Sequence, residues 1–398
     1  MESQSRLPST RFLRWMGGIG VGVATLGLIV VSGAAAQDAP GVTASEIVVG
    51  TPMPLTGPVR LVSQPYDIGL RTGLKEINDK GGVQGRKISF SVEDDAYQPA
   101  RSLAIAKKLM DRDNVFAIFG CFGTPNCITV MRETEQKGVP LLTYSALAGS
   151  GPTTFGLTAS YGDVSYQLVK YFAKQRGFKK IGFLYQNDDL GENARKGLKR
   201  GLDEVGLPLG ADVGYDRTTG DFTTHILALR DANPDAVIAM GTAPAIGAAI
   251  KKANEIGFKP VWSTYLIGES AIMTKLLGDG INGLVYATDT ESLYSSSPEA
   301  ERVKALIQKA SPPDTAIEVL TLQGYAQAKL FGMALDVAGK DLTREKFLSA
   351  LRSRDYDVGV MKLSYKDGKQ IGADALKLYQ WEGGKPRPLS DWIPIPRN

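Results

Sequence analysis

A chain of 398 residues is longer than one hydrophobic core usually organises, so two domains are expected. Its 43% hydrophobic and 22% charged residues are ordinary for a globular protein and argue against a disordered or fibrous class. The net charge of +4 falls to +2 once Glu2, Arg6, Arg11 and Arg14 are set aside, and the signs are interspersed. Nucleic-acid binding needs a concentrated basic face, and no such run is present.

The first 36 residues read as an export signal. Arg6, Arg11 and Arg14 form a positive start, residues 15–31 are apolar and glycine-rich, and Ala34-Ala35-Ala36 meets the small-residue cleavage rule. No Arg-Arg pair is present, which points to Sec rather than Tat export. No cysteine follows the apolar stretch, so a lipid anchor is not expected. An uncleaved membrane anchor is the competing reading. The sequence therefore predicts a periplasmic protein cleaved near Ala36, without a second apolar run of membrane-spanning length. Export places Cys121 and Cys127 where disulfides persist. They could pair if the turn between them brings their Cα atoms within about 7 Å. The spacing alone leaves that open, and two cysteines cannot complete a tetrahedral zinc site.

Beyond the signal, strands and helices alternate. Residues 47–50 read as a buried strand, and Leu70, Leu74 and Ile77 mark a helix face stopped at Gly81-Gly82. Residues 88–92 alternate as a strand. Pro99 opens a helix faced by Leu103, Ala106 and Met110. Residues 115–119 are an apolar strand, a helix covers Ile128 and Met131, and a strand spans 139–142. The second half repeats the rhythm. Strands are expected at 181–185, 236–240, from 261 and at 283–286, with helices after Gly191 and around Ile246 and Ile250. The stretch 299–352 is helix-rich, followed by short strands near 361–363 and 375–379. This pattern predicts α/β architecture with right-handed βαβ units and parallel sheets. Ligands of such sheets sit beyond the carboxyl ends of the strands. The loops after Gly50, Phe119, Leu142, Tyr185, Met240 and Trp262 are the ones to watch.

Catalytic signatures are missing. The single histidine, His225, falls inside an amphipathic helix away from those loops. No G-x-S-x-G elbow and no G-x-x-x-x-G-K-[ST] loop occurs. Glu93-Asp94-Asp95 and Asp188-Asp189 with Glu192 are acidic clusters at strand ends. Paired carboxylates there could serve acid–base chemistry, but helix capping and the ordinary polarity of strand-end loops are the stronger reading. No cofactor and no metal site is expected, and binding is favoured over catalysis.

Several segments, in order, resemble the periplasmic leucine/isoleucine/valine-binding proteins. Ile47-Val48-Val49-Gly50 leads into Pro54-Leu55-Thr56-Gly57-Pro58, similar to that family's first strand and S/T-G-P loop. Ile77-Asn78-Asp79-Lys80-Gly81-Gly82-Val83-Gln84-Gly85-Arg86 resembles its I-N-x-x-G-G-I-x-G-R/K turn. Asp94-Asp95 with Pro99, Phe119-Gly120 with Gly123-Thr124, Gly138-Val139-Pro140 and 187–191 continue the likeness. The resemblance implies a type I solute-binding protein: two Rossmann-like lobes joined by three chain crossings, closing on ligand and docking on an ABC permease. The implied lobes are 42–158 with 290–365, and 159–289 with 366–398.

The resemblance also implies a site. Thr124, beside Phe122 and Gly123, stands at the position whose hydroxyl holds the ligand carboxylate. Ser145, Ala146 and Leu147 occupy a second loop facing it, with Leu147 in place of the family's threonine. Tyr161, near Asp163, stands at the first crossing. Val62, Leu190 and Thr242 take positions that are aromatic in the family. The position of the glutamate that meets the ligand ammonium appears as Leu266, with Glu269 three residues on. An unpaired buried ammonium costs several kcal/mol, so an α-amino acid fits poorly unless Asp163 or Glu269 reaches in. The expected function is capture of a small apolar solute, a carboxylate, amide or amino acid, by a monomeric, non-enzymatic receptor delivering to an inner-membrane permease. Ligand sensing for a membrane receptor is the alternative, with a secreted hydrolase behind it.

Overall fold

The structure, a computed structural model, describes residues 39–57, 59–145, 147, 149–311 and 317–396. The expected export signal lies outside these residues.

The first sheet contains β1 (Glu46–Met53), β2 (Lys87–Asp94), β3 (Ala117–Cys121), β4 (Leu141–Thr143) and β5 (Thr154–Gly156). Their order is β2-β1-β3-β4-β5, and every pairing is parallel. The crossovers are α1 (Arg60–Asp79), α2 (Pro99–Asp111) and α3 (Thr124–Lys137). Pro99 opens α2 at a position where its missing N–H costs nothing.

The chain then passes through α4 (Tyr161–Lys170) into a second sheet. This one contains β6 (Ile181–Gln186), β7 (Leu209–Tyr215), β8 (Ala236–Met240), β9 (Val261–Thr264) and β10 (Val285–Thr288). Its crossovers are α5 (Asp189–Val205), α6 (Thr223–Ala232), α7 (Ala243–Glu255) and α8 (Ala271–Leu277). β8, with the sequence AVIAM, is buried throughout, as a parallel strand covered on both faces must be.

Three more helices return to the first sheet: α9 (Pro298–Ala310), α10 (Val319–Ala338) and α11 (Arg344–Ser353). Phe331 of α10 packs against Phe119 at 4.7 Å between ring centroids, and Phe347 of α11 against Phe116 at 5.6 Å. After the short hairpin of β11 (Asp355–Asp357) and β12 (Lys362–Ser364), the chain crosses back. It adds β13 (Ala375–Glu382), β14 (Lys385–Pro388) and β15 (Ile393–Pro394) antiparallel to the far edge of the second sheet. That sheet runs β14-β13-β10-β9-β8-β6-β7, with β15 on β13. The chain thus crosses between the sheets after β5, after β10 and after β12.

Five strands escape the sequence reading: β5, β7, β11, β14 and β15. β7 reads LGADVGY and lies at the sheet edge, mostly exposed, so it shows no apolar run to detect. β4 starts at Leu141 rather than at Val139, because Pro140 cannot donate to a ladder.

Candidate functional site

Strand order reverses beside β1 in the first sheet and beside β6 in the second. Crossover helices leave in opposite directions there, which opens a crevice at the strands' carboxyl ends. A cavity of about 50 Å³ is lined from both sheets. The first contributes Val59 and Val62 after β1, Tyr97 after β2, Phe122, Gly123 and Thr124 after β3, and Tyr144 and Ser145 after β4. The second contributes Leu190 after β6, Gly241, Thr242 and Ala243 after β8, and Ile267 after β9. Tyr161, which opens α4, and Leu320, in the first turn of α10, complete it. None of these side chains carries a charge. The six loops named from fold logic all contribute.

Local structure aims these groups. Gly123 sits at φ 94°, and a Cβ there would come within 2.8 Å of the Tyr97 ring. Cys121 and Cys127 form a disulfide across this turn, with Cα atoms 5.9 Å apart. The Thr124 side chain is 4% exposed, and its Oγ1 has no hydrogen-bond partner. Tyr97 is held beside Gly123, on the same wall, by two acidic turns. Asp94 accepts from the backbone N–H of Ala96 at 3.0 Å, and Asp95 from that of Tyr97 at 2.8 Å. These bonds hold Ala96 and Tyr97 in the left-handed region at φ 50° and 62°, which side-chain-bearing residues seldom adopt. Asp94 also accepts from Leu55 and Thr56, tying the loop after β1 to the loop after β2. Burial works to raise its pKa, but the bonds from Thr56, Ala96 and Leu55 together hold it below the usual carboxylate value.

Across the cavity, Asp188 caps α5 by accepting from Leu190 N–H at 3.0 Å. It also accepts from Gln186 Nε2 at 2.5 Å and Arg217 Nε at 2.9 Å. Gln186 Nε2 reaches the Tyr97 hydroxyl at 3.4 Å, and the Arg217 guanidinium lies 5.1 Å from the Tyr97 ring centroid. Burial, aided by nearby Asp188, pushes the Tyr97 phenol up to about 12. Burial also raises Tyr161 and Tyr144, so these hydroxyls stay protonated at neutral pH. On the same side, Gly241 lets the Tyr215 hydroxyl approach the backbone, since a Cβ would lie 1.7 Å from that oxygen.

Of the residues expected from sequence, Thr124, Phe122, Gly123, Ser145, Tyr161, Leu190 and Thr242 line this cavity. Ala146 lies outside the described residues. Leu147 does not line it and borders a separate groove of about 550 Å³ with Ser160, Asp163, Arg200 and Gln370. Glu269 does not line it either. Its Oε1 accepts from the Ser292 hydroxyl and from Leu293 N–H at 2.8 Å, so the carboxylate faces the second crossing. Burial raises its pKa to about 7. Leu266 is fully buried and turned from the cavity. Sequence reasoning missed Val59, Tyr97, Tyr144, Gly241, Ala243, Ile267 and Leu320 as lining residues. The Asp94-Asp95 pair was the available signal for Tyr97. Those two aspartates shape a loop and Asp188 caps a helix, so hydrogen bonds account for all three carboxylates. Among the described residues, no cluster of three His, Cys, Asp or Glu side chains could hold a metal.

One parallel sheet and one largely parallel sheet, three crossings and a cavity at opposed switch points define a recognisable architecture. A sequence model for the periplasmic binding proteins matches residues 46–385. The chain belongs to the periplasmic binding protein family. Among its relatives is the Leu/Ile/Val-binding protein homolog 7 of Brucella abortus, 26% identical over 381 residues, covering 90% of this chain and 94% of the relative. A branched-chain amino acid ABC transporter protein from Thermus thermophilus, solved with bound valine, superposes with a TM-score of 0.81 at 18% identity, covering 88% of this chain and 97% of that one. A fatty acid ABC transporter substrate-binding protein from Thermomonospora curvata superposes at 0.79 with 22% identity, covering 90% and 95%. These likenesses place the fold of this periplasmic binding protein as type I. The family is one of substrate-binding proteins rather than of enzymes.

Proposed function

We propose that this chain is the extracytoplasmic substrate-binding component of an ABC importer. It captures a small, largely apolar organic solute between two lobes and presents the closed form to an inner-membrane permease. The observation that carries this reading is the uncharged cavity at the opposed strand ends, walled by both sheets. Its volume of about 50 Å³ is below the roughly 300–1,000 Å³ of ordinary ligand pockets, so entry requires the lobes to part. The lobes in this reading are 42–158 with 290–365, and 159–289 with 366–398. Ligand contacts both at once and so shifts the population towards the closed form.

In this reading Thr124 donates to a polar end of the ligand. Phe122, Tyr144 and Tyr161 pack on its body, and Leu190 and Thr242 close from the second lobe. The chain works as a monomer in the periplasm after Sec export and cleavage near Ala36. A structural neighbour solved with valine, and another described as the substrate-binding protein of a fatty acid ABC transporter, support a small solute with an apolar body.

A thermal-shift screen of ligand-stripped protein tests the reading, with amino acids, benzoate-type acids, short fatty acids and amides as probes. A ligand at about 100 times its Kd adds about 2.7 kcal/mol of stability. A stabilising small acid, amide or amino acid that also contracts the protein in solution supports a closing receptor. Stabilisation without contraction would remove hinge closure.

A further inference from the structure

Six helices begin at the cavity. Lining residues come from the first turn or N-cap of α1, α3, α4, α5, α7 and α10. A helix start carries unpaired N–H groups and a partial positive charge of about half a unit. Three of the six starts are compensated by acid: α4 by Asp163, α5 by Asp188, Asp189 and Glu192, and α10 by Glu318. The other three, α1, α3 and α7, have no acid in the first turn and no side-chain cap. Of these, α1 and α3 belong to the first sheet and α7 to the second. The cavity is therefore electropositive from both sides.

A second observation agrees. Thr124 lines the cavity and is only 4% exposed, and its buried hydroxyl has no partner. The nearby carboxylates are already engaged. Asp188 accepts from Leu190, Gln186 and Arg217. Asp289 accepts from Ala159 N–H, Gln323 and the Tyr265 hydroxyl. Glu269 faces Ser292 and Leu293. A ligand ammonium would meet helix starts and hydroxyl donors on both walls, without a free carboxylate.

Resting on the receptor reading above, we infer that the site takes an acid with a second hydrogen-bond acceptor and no ammonium, the carboxylate at α3 and Thr124 and the second acceptor at the start of α7 around Thr242. A 2-oxo acid with an apolar or aromatic body has this chemistry. The amino acid of the same skeleton does not, because its ammonium replaces the oxo acceptor.

Matched pairs decide the matter. Calorimetric titrations would compare phenylpyruvate with phenylalanine, and 4-methyl-2-oxopentanoate with leucine, alongside small-angle scattering to read closure. In at least one pair the oxo acid should bind at least tenfold tighter than its amine. Thr242→Asp should erase that preference, because Asp caps α7 well and cancels its positive end without loss of fold. An amine that binds as tightly as its oxo acid, with contraction on binding, overturns the inference and leaves the receptor reading standing. A Thr242→Asp variant with an unchanged preference also overturns it. Silence of all four probes, with no contraction, overturns both.

Discussion

The hydroxyl of Tyr265, after β9, donates to the carboxylate of Asp289, after β10, at 2.5 Å. Asp289 stands at the second crossing and also accepts from Ala159 N–H at the first crossing, at 2.7 Å, and from Gln323 of α10 at 2.9 Å. One buried carboxylate thus ties two crossings to a helix of one lobe and a loop of the other. Replacing it by alanine would leave three buried donors unpaired, each costing about 1–3 kcal/mol. Asp289→Ala is expected to destabilise the protein by about 3–5 kcal/mol in urea unfolding. Tyr265→Phe should cost less, about 1 kcal/mol, since it removes one donor and leaves the others served. Equal losses in both variants would show that Asp289 holds nothing but Tyr265.

Thr124 and Tyr161 offer the most direct test of the binding reading. Thr124→Val keeps the shape and removes the unpartnered hydroxyl. Tyr161→Ala removes a half-buried ring at the first crossing. Each is expected to weaken binding of whichever ligand closes the protein by about 1–3 kcal/mol. Calorimetry on folded variants would read it. Wild-type affinity in both would take the ligand away from this cavity.

The fold and the loops of the site were legible because they rest on local signals. Buried apolar runs such as 236–240 and the helix face of Leu70, Leu74 and Ile77 give the βα rhythm, and the ends of those strands give the loops. Individual side chains were less legible, for physical reasons. Tyr97 is aimed by left-handed backbone at two residues that are not glycine, which only the Asp94 and Asp95 hydrogen bonds make tenable. Glu269 points where Ser292 sends it, and that partner is 23 positions along the chain. Nothing near Glu269 in sequence distinguishes a carboxylate facing a ligand from one facing a crossing. Leu320 reaches the cavity from the start of α10, far in sequence from the other lining residues.

The Cys121–Cys127 disulfide closes a short loop at the end of β3, beside Gly123 and Thr124. Loop-closure entropy for a ring of this size gives about 2 kcal/mol of stabilisation. Reduction, or Cys121→Ala with Cys127→Ala, should therefore lower the melting temperature by a few degrees. The Thr124 hydroxyl is positioned by the same turn, so ligand affinity should fall in step. A lower melting temperature with unchanged affinity would mean that α3 alone positions Thr124.

Glu269 gives stability a pH dependence of definite sign. Burial raises its folded pKa to about 7, against about 4.3 for a glutamate in an unfolded chain. Between those values the folded state holds the extra proton, so this carboxyl's contribution falls as pH rises and levels off above about 7. Its loss across the window is on the order of 2–4 kcal/mol. Glu269→Gln keeps an oxygen to accept from Ser292 and Leu293 but cannot ionise. The variant should match the wild type near pH 4.5 and exceed it near pH 8 in urea unfolding. Glu318 also titrates near 7 and accepts from Ala271 N–H at 3.0 Å, so the wild-type profile contains both groups. The difference between the Glu269→Gln and wild-type profiles isolates the first. A flat difference across the window would mean that Glu269 stays ionised in its buried position.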